Sequence, residues 1–302
     1  MIPKRSSTVI LLNENKSKGF QVFLLKRSEK SSFMGSNYVY PGGVVDESDS
    51  DSSLLPFCHG FTPVKASVEL RRCLPEHESM AVFLSCIREL FEEAGILLAY
   101  DKEGNMLSFK DQQQIERFTR YRQLLHTRRM TLNEIAKNER ISLAPDCLRL
   151  YAHWITPEAR PIRFDTFFFI ARNPEGQKAI ADQIETTDGL WIRPDVALLE
   201  NLEGRLVLSP PTLKTLEDLS RFDTVDDIFD SLIDCDVSPI LPTLFFTKKE
   251  SFVLFPWDPD YGKTITTTGE EPIDHGSTSS LSDNTTRIIF RDGRVVPYSK
   301  KK

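Results

Sequence analysis

The sequence has 302 residues, of which 40% are hydrophobic and 27% charged, with 20 phenylalanines and a formal net charge of -6. This composition predicts a globular protein with a sizeable core, either one large domain with extensions or two modest domains. The acidic balance argues against a general nucleic-acid or membrane-surface binder, because such proteins usually carry a basic excess. A small anionic substrate needs only a local cluster of Lys and Arg and stays compatible with this charge.

The cysteines and the apolar runs indicate the compartment. Five cysteines are scattered along the chain without a C-x-x-C pair, which favours reduced thiols in an intracellular compartment over a disulfide framework or a zinc site. No apolar run approaches the roughly 20 residues needed to cross a bilayer, so we expect no membrane span. A strand-like segment begins almost at once, which predicts no secretory signal, and residues 298–302 do not spell the S-K-L peroxisomal address.

The first predicted elements are strands. Residues 8–12 and 20–25 are rich in β-branched and aromatic side chains, and the polar stretch between them predicts a hairpin. A short strand at 38–40 ends at Pro41-Gly42-Gly43. The acidic, Ser-rich residues 46–53 predict a solvated loop.

A long helix is predicted next. Pro75 is placed at its first helical position, acidic residues occupy its first turn, and Gly95 ends it. Residues 111–139 predict two further helices, and Thr131 with Glu134 gives the second of them a capping box.

The rest of the chain is predicted to contain strands, then helices, and finally a loop and a hairpin. We expect strands at 148–155, 164–171 and 190–192, followed by helices that begin at Pro194 and after Pro210-Pro211. Residues 262–285 are rich in Thr, Ser, Gly and Asp and predict a flexible loop. A terminal hairpin follows, with Asp292-Gly293 as its turn.

The most informative segment lies near the end of the long helix. Glu89, Glu92 and Glu93 fall within one helical face roughly 100° wide. The opposite stripe is apolar and consists of Phe83, Leu84, Ile87, Leu90, Phe91 and Ala94. Three like charges repel each other, and a hard cation such as Mg²⁺ turns that repulsion into a set of oxygen ligands. Taken alone, an E-x-x-E-E run is more often a solvated acidic face.

The surrounding residues resemble the Nudix signature, a Gly followed by five residues, Glu, seven residues and then R-E-U-x-E-E-x-G-U, where U is aliphatic. Residues 88–96 match the second half at every defined position, and Pro41-Gly42-Gly43 resembles the opening P-G-G. Arg88 lies 45 positions after Gly43 instead of 14, so 31 residues are inserted. Counting back from Arg88 places the first Glu of the signature at Met80, and we therefore expect that acid to be absent.

An insertion at this place resembles the nucleoside diphosphate-linked moiety X motif 19 branch, a group of coenzyme A diphosphatases. The run from Leu24 to Asp46 is similar to the L-L-x-x-R-S…P-G-G-x-x-D pattern of coenzyme A-cleaving Nudix enzymes. Residues 153–157, 164–168 and 208–212 also resemble that group, and the resemblance covers roughly residues 5–220. It implies an α/β fold, the Nudix α/β/α sandwich with a mixed sheet, an insertion inside the Nudix box and extra helices.

The resemblance also implies a domain division. Residues 1–243 would form the Nudix hydrolase domain, with the insertion at about 46–74 and a helical segment at about 107–145. Residues 244–302 would form a C-terminal extension that contains the flexible loop and the terminal hairpin.

Roles in catalysis and metal binding follow from the same resemblance. Glu92 and Glu93 would bind Mg²⁺ or Mn²⁺ together with the backbone carbonyl of Gly42, and Glu89 would be a further ligand or the water-activating base. Arg88 can hold a carboxylate by a bidentate bond, although an ordinary ion pair on the helix predicts much the same geometry. Glu185, on a loop, is the candidate distal ligand or base, and a plain polar loop is its alternative.

The candidates for substrate binding are basic or lie in the P-G-G. Lys26 and Arg27 would contact substrate phosphates, including the 3′-phosphate of coenzyme A, and Gly43 would lie beside them. A solvated basic turn is an equally good interpretation of Arg27.

The leading hypothesis is metal-dependent hydrolysis of coenzyme A or acyl-coenzyme A to adenosine 3′,5′-bisphosphate and (acyl-)4′-phosphopantetheine. One alternative is a Nudix hydrolase of NADH, ADP-ribose or capped RNA. Another is a non-catalytic Nudix-like binding module, which Met80 at the missing Glu would explain. The expected partner is a small coenzyme A-like dinucleotide, with no membrane or nucleic-acid partner and the oligomeric state left open. The resemblance suggests peroxisomes, and the absence of an S-K-L-type ending leaves the cytoplasm and mitochondria open.

Overall fold

The central layer is a mixed sheet of eight strands in the computed structural model. The described residues are 2–15, 19–29, 35–233, 235–246, 250–262, 277–278, 284–291 and 294–300. The strands are β1 (Lys4–Asn15), β2 (Gly19–Arg27), β3 (Tyr38–Val39), β4 (Gly42–Val44), β5 (Ala99–Tyr100), β6 (Ser142–Leu143), β7 (Arg149–Ile155), β8 (Phe164–Arg172), β9 (Thr186–Ile192), β10 (Pro239–Ile240), β11 (Thr243–Phe246), β12 (Ser251–Leu254), β13 (Ser277–Thr278), β14 (Arg287–Arg291) and β15 (Arg294–Ser299). The helices are α1 (Pro63–Glu69), α2 (Glu76–Ala94), α3 (Gln112–His126), α4 (Leu132–Glu139), α5 (Pro194–Leu202), α6 (Pro210–Leu219) and α7 (Val225–Ser231).

The sheet is built around β1. The strand order is β10-β7-β8-β1-β2-β3, with β4 paired to β1 and β9 paired to β2. The predicted hairpin is confirmed, because β1 and β2 pair antiparallel with Leu12 opposite Val22. Since β1 runs parallel to β8 and antiparallel to β2 and β4, the sheet is mixed.

Helices cover both faces of this sheet. Val9 and Leu11 of β1 pack in the core beneath α2, whereas the alternate residues Ile10 and Leu12 pack in a second core beneath α5, α6 and α7. A strand with both faces buried needs a continuous apolar run, and residues 9–12 supply one. The predicted α/β/α sandwich is confirmed.

Helix α2 buries the stripe that its sequence predicts. Phe83, Ile87, Leu90 and Ala94 are all fully buried. The ring of Phe83 lies 4.8 Å from the ring of Phe169 and 4.9 Å from that of Phe61, centroid to centroid. Burial of this stripe fixes the rotation of α2, so its acidic face is directed away from the core.

The ends of the helices follow their capping residues. Pro75 is the N-cap of α2 instead of its first helical residue, and Gly95 ends the helix in the left-handed conformation at φ 73°. The capping box of α4 is confirmed, because the Thr131 side chain accepts from the Glu134 N–H and the Thr131 N–H donates to the Glu134 carboxylate at 2.8 Å.

Most residues of the segment 46–53 are exposed, as the sequence predicts, but the predicted loop conformation is wrong. Two 3₁₀ helices, Glu47–Ser50 and Ser52–Phe57, begin the insertion. Their start is stabilised by the Asp46 carboxylate, which accepts from the Ser48 N–H at 3.0 Å. Leu54, Phe61 and Leu70 of the insertion join the core beneath α2, so the insertion is part of the fold.

The C-terminal extension packs on the second core. Strands β11, β12, β14, β15 and β13 form a five-stranded sheet in that order. Its apolar residues, among them Leu244, Val253 and Ile288, belong to the same core cluster as α5, α6 and α7. The strands of the predicted terminal hairpin are confirmed. Its turn at 292–293 and most of the predicted loop at 262–285 lie outside the described residues, and the domain boundary near residue 243 stays a prediction.

The described helices include none that is long and apolar enough to cross a membrane.

A buried ion pair stabilises the extension. The Arg287 side chain has no exposed surface, and its Nε donates to Asp258 Oδ2 at 2.8 Å while its Nη2 donates to Asp260 Oδ2 at 2.8 Å. We expect Asp258→Ala to lower the free energy of unfolding by about 3–5 kcal/mol, because it leaves a buried charge partly uncompensated. Urea unfolding measures this change.

The matched control is Asp226→Ala, which removes an exposed partner of Arg172. An exposed pair contributes less than about 1 kcal/mol. Equal losses from the two variants would contradict the structural role of Arg287.

Candidate active site

A cavity of about 660 Å³ opens beside the acidic face of α2. Its walls come from β1, β4, the insertion and the segment between α3 and α4. Most of the predicted site residues meet there, namely Arg27, Gly42, Gly43, Arg88, Glu89, Glu92 and Glu185. Residues that are up to 158 positions apart in the sequence thus line one space.

The two glycines of the P-G-G let β4 approach both β1 and α2. A Cβ at Gly43 would overlap the Glu89 carboxylate, 2.5 Å from its Cδ, and a Cβ at Gly42 would lie 2.7 Å from Thr8 Cα. The Gly42 N–H donates to Glu93 Oε2 at 2.8 Å. The N–H of Gly42 therefore holds Glu93, and the role of its carbonyl as a metal ligand stays a prediction.

Arg88 connects three carboxylates. Its Nη1 lies 2.8 Å from Glu89 Oε1 and 2.9 Å from Glu92 Oε2. Its Nε and Nη2 donate in parallel to the two oxygens of Asp49, each at 2.8 Å. The bidentate bond that the sequence predicted for Arg88 is therefore made to Asp49, a residue of the insertion.

Asp49 corrects the alignment of the signature. Counting forward from Gly43 through five residues ends at Asp49, where the signature has its first Glu. Met80, the position reached by counting back from Arg88, is a buried core residue. The acid is therefore present in a shorter form within the segment 46–74 that is called the insertion, and the 31 residues that lengthen the signature lie between it and Arg88. Counting from both ends of the signature would have found it.

Burial dominates the electrostatics of the acidic face. It raises the pKa of Glu89 to about 7 and also raises that of Glu92, while Arg88 opposes both shifts. The pKa of Glu93 lies well above its usual value because the side chain is buried and because Glu89 and Glu185 are close. Such a group of carboxylates favours a proton or a cation beside it.

The chemistry of these donors fits a hard divalent cation, which takes carboxylate oxygens. In the described chain, however, no three acidic, His or Cys side chains already converge on one metal position. Glu89 and Glu92 are directed to Arg88, and Glu93 is directed to Gly42. Side-chain rotation about α2 would have to precede shared coordination by all three.

Glu185 and Arg27 line the cavity and lie close to Glu93. The charge of Glu185 raises the pKa of Glu93 and that of Arg27 lowers it. The loop of Glu185 is fixed by Asp182, whose carboxylate accepts from the Glu185 and Thr186 N–H groups at 3.1 and 2.8 Å. The structure thus brings both predicted residues to the site, and the role of Glu185 as ligand or base stays a prediction.

Lys26 lies outside the cavity, whereas three basic residues that the sequence did not predict lie in its wall. Lys26 is beside Arg27 on β2 but is not in the described lining of this cavity, so the geometry gives its predicted phosphate contact no support. Lys4, His126 and Arg128 do line the cavity. They come from β1 and from the end of α3, and no local pattern marks them in the sequence.

Comparisons with known proteins agree with this geometry. The family model described as the NUDT19 Nudix domain matches residues 4–221. The chain is 26% identical to the acyl-coenzyme A diphosphatase NUDT19 of Xenopus laevis, over 71% of this chain and 63% of the relative. It is 24% identical to the human protein of the same name, over 94% of this chain and 82% of the relative. The alignment therefore spans less than two thirds of the Xenopus protein.

A solved structure shares the fold. A NUDIX hydrolase from Alicyclobacillus acidocaldarius superposes with a TM-score of 0.64 and 20% identity, and the match covers 77% of this chain and 97% of that one.

The bidentate contact between Asp49 and Arg88 leads to a prediction about cation binding. We expect Asp49→Asn to weaken Mn²⁺ binding by about 10–100-fold, because Arg88 loses the partner that orients it toward Glu89 and Glu92. Titration with Mn²⁺, followed by electron paramagnetic resonance, measures the affinity. Glu47→Gln, an exposed change in the same 3₁₀ helix, is the control and should bind normally. Normal binding by Asp49→Asn would refute the positioning role.

The raised pKa of Glu89 predicts how stability depends on pH without a cation. Its pKa rises from 4.5 to about 7 on folding, so the unfolded chain loses this proton first and the folded state holds it longer. Stability should therefore fall as the pH rises from about 4.5 to about 7. Urea midpoints in a chelating buffer should show a shallower fall for Glu89→Gln than for the wild type. The same slope in both proteins would contradict the prediction.

Proposed function

The chain belongs to the NUDT19 Nudix domain family, and from this premise we propose that it hydrolyses the diphosphate linkage of coenzyme A or acyl-coenzyme A. The products would be adenosine 3′,5′-bisphosphate and (acyl-)4′-phosphopantetheine. The observation that carries the proposal is the meeting of Glu89, Glu92, Arg27 and Glu185 around one cavity, with the buried Glu93 close to Glu89 and Glu185 behind its wall.

The acidic face of α2 supplies the oxygen donors for a divalent cation. Glu92 and Glu93, with Glu89, would hold Mg²⁺ or Mn²⁺. When bound, the cation neutralises charge on the phosphoryl oxygens and lowers the pKa of a water. Arg88 contributes by holding Glu89 and Glu92 in place, since it donates to both carboxylates.

The other residues act on the substrate and the water. Arg27 lines the cavity near Glu93 and can bind a phosphate oxygen of the diphosphate. The oxygen of a water attacks one phosphorus, the bond from that phosphorus to the bridging oxygen breaks, and the leaving phosphate keeps the electron pair. The proton of the water passes to a carboxylate, for which Glu89 and Glu185 are the candidates.

Two observations favour coenzyme A as the substrate. The curated relatives named above are acyl-coenzyme A diphosphatases, although their substrate comes to this chain only by similarity. In addition, Lys4, His126 and Arg128 line the cavity, and they could bind the extra 3′-phosphate that distinguishes coenzyme A from NADH and ADP-ribose. The peroxisomal location suggested by the sequence stays a prediction.

The test is hydrolysis with identified products. The purified chain with Mg²⁺ or Mn²⁺ should release both products from coenzyme A, detected by mass spectrometry. Glu93→Gln should lower kcat by about 100-fold or more, because it removes a buried carboxylate from the proposed cation site. Cleavage of NADH or ADP-ribose but not of coenzyme A would show that coenzyme A is not the substrate. Tight Mn²⁺ binding without cleavage of any diphosphate would indicate a binding module.

A further inference from the structure

A second cavity of about 190 Å³ adjoins the first. Thr8, Arg27, Gly42, Phe164 and Thr166 line both cavities. A molecule whose diphosphate lies beside Gly42 and Arg27 can therefore extend into the second space, which we call the apolar chamber.

The walls of the chamber come from three parts of the fold. Trp154 and Phe168 belong to the central sheet, and Pro210 and Pro211 begin α6. The C-terminal extension covers the chamber with the apolar side chains of Leu244, Val253 and Phe290. Arg27 and Arg160 are the charged residues in its described lining.

Two buried polar groups in this lining lack partners. The Trp154 Nε1 and the Tyr40 hydroxyl have no hydrogen bond within the described part of the chain. Burial keeps the pKa of Tyr40 well above its usual value, so the phenol stays a neutral hydroxyl that can donate. Buried donors without acceptors are rare in folded proteins, and a ligand is one way to satisfy them.

We propose that the apolar chamber holds the pantetheine arm of the substrate and the start of its acyl chain, with Trp154 and Tyr40 donating hydrogen bonds to carbonyl oxygens of the arm. The inference rests on the proposed function and names the place of one half of that substrate. The arm suits the chamber because it is uncharged and largely aliphatic, and because its amide carbonyls accept hydrogen bonds.

The positions of the basic residues favour the first cavity for the nucleotide half of the substrate. The nucleotide half carries the 3′-phosphate. Lys4, His126 and Arg128 line the first cavity but not the chamber, whereas Arg160 is the charged residue in the described lining of the chamber alone. The unpartnered groups of Tyr40 and Trp154 also suit carbonyl acceptors. An indole N–H can only donate, and each amide carbonyl of the arm offers it an acceptor.

The experiment compares how the two reaction products bind, which requires no turnover. Calorimetry of the full chain with Mg²⁺ measures the Kd of 4′-phosphopantetheine and of adenosine 3′,5′-bisphosphate. Leu244→Trp places a larger side chain in the chamber. It should raise the Kd of 4′-phosphopantetheine by about tenfold or more and change the Kd of adenosine 3′,5′-bisphosphate by less than about twofold.

A second variant, with a smaller change of side chain, tests the proposal if Leu244→Trp does not fold. Trp154→Phe keeps an aromatic ring and removes only the N–H donor, so we expect about two- to tenfold weaker 4′-phosphopantetheine binding. The control is Phe246→Ala, an exposed change on the same strand as Leu244 and outside the described chamber lining. It should leave both dissociation constants unchanged.

The outcomes separate this inference from the proposed function. Cleavage of coenzyme A by the wild type, together with unchanged 4′-phosphopantetheine binding in the chamber variants, overturns the chamber assignment alone. If the chamber variants instead weaken the binding of adenosine 3′,5′-bisphosphate, the chamber binds the nucleoside and its assignment to the pantetheine arm is wrong. Failure of the wild type to cleave coenzyme A overturns the proposed function and this inference together.

Discussion

The structure of the site depends on the bidentate contact between Arg88 and Asp49. One guanidinium binds Asp49 on one side and both Glu89 and Glu92 on the other. Removing these charges from water is expensive unless each is paired, so the contact fixes the orientation of the insertion relative to α2. Arg88 is one cation for three carboxylates, and Glu93 accepts from the neutral N–H of Gly42. The carboxylates therefore outnumber this cation, which suits the divalent ion proposed for the site.

The sandwich places this charge next to the sheet without exposing the core. Burial of the apolar stripe beneath α2 determines which way Glu89 and Glu93 point, and β4 can approach them closely because Gly42 and Gly43 have no side chains. Burial raises the pKa values of these acids, and the Gly42 N–H partly offsets the rise for Glu93.

Features with a local cause could be predicted from the sequence. The apolar stripe of α2, its end at Gly95 and the capping box at Thr131 depend on neighbours within a few positions, and all were found. The partner of Arg88 could not be found by fixed spacing from one end, because 31 inserted residues displaced Asp49 from its expected distance. Lys4 and His126 reach the cavity only through the tertiary fold, so no periodicity reveals them.

The insertion and the C-terminal extension contribute to opposite ends of the binding region. The insertion supplies Asp49 and part of the wall of the first cavity, whereas the extension covers the apolar chamber with Leu244 and Val253. The family match ends at residue 221, so the cover of the chamber comes from sequence beyond the matched region. The acids that would hold a cation and the apolar surface that would select a substrate thus belong to different segments. Substitutions in the extension can change the shape of the chamber without disturbing Arg88 and its carboxylates, because the described contacts of Arg88 are all made by α2, β4 and the insertion.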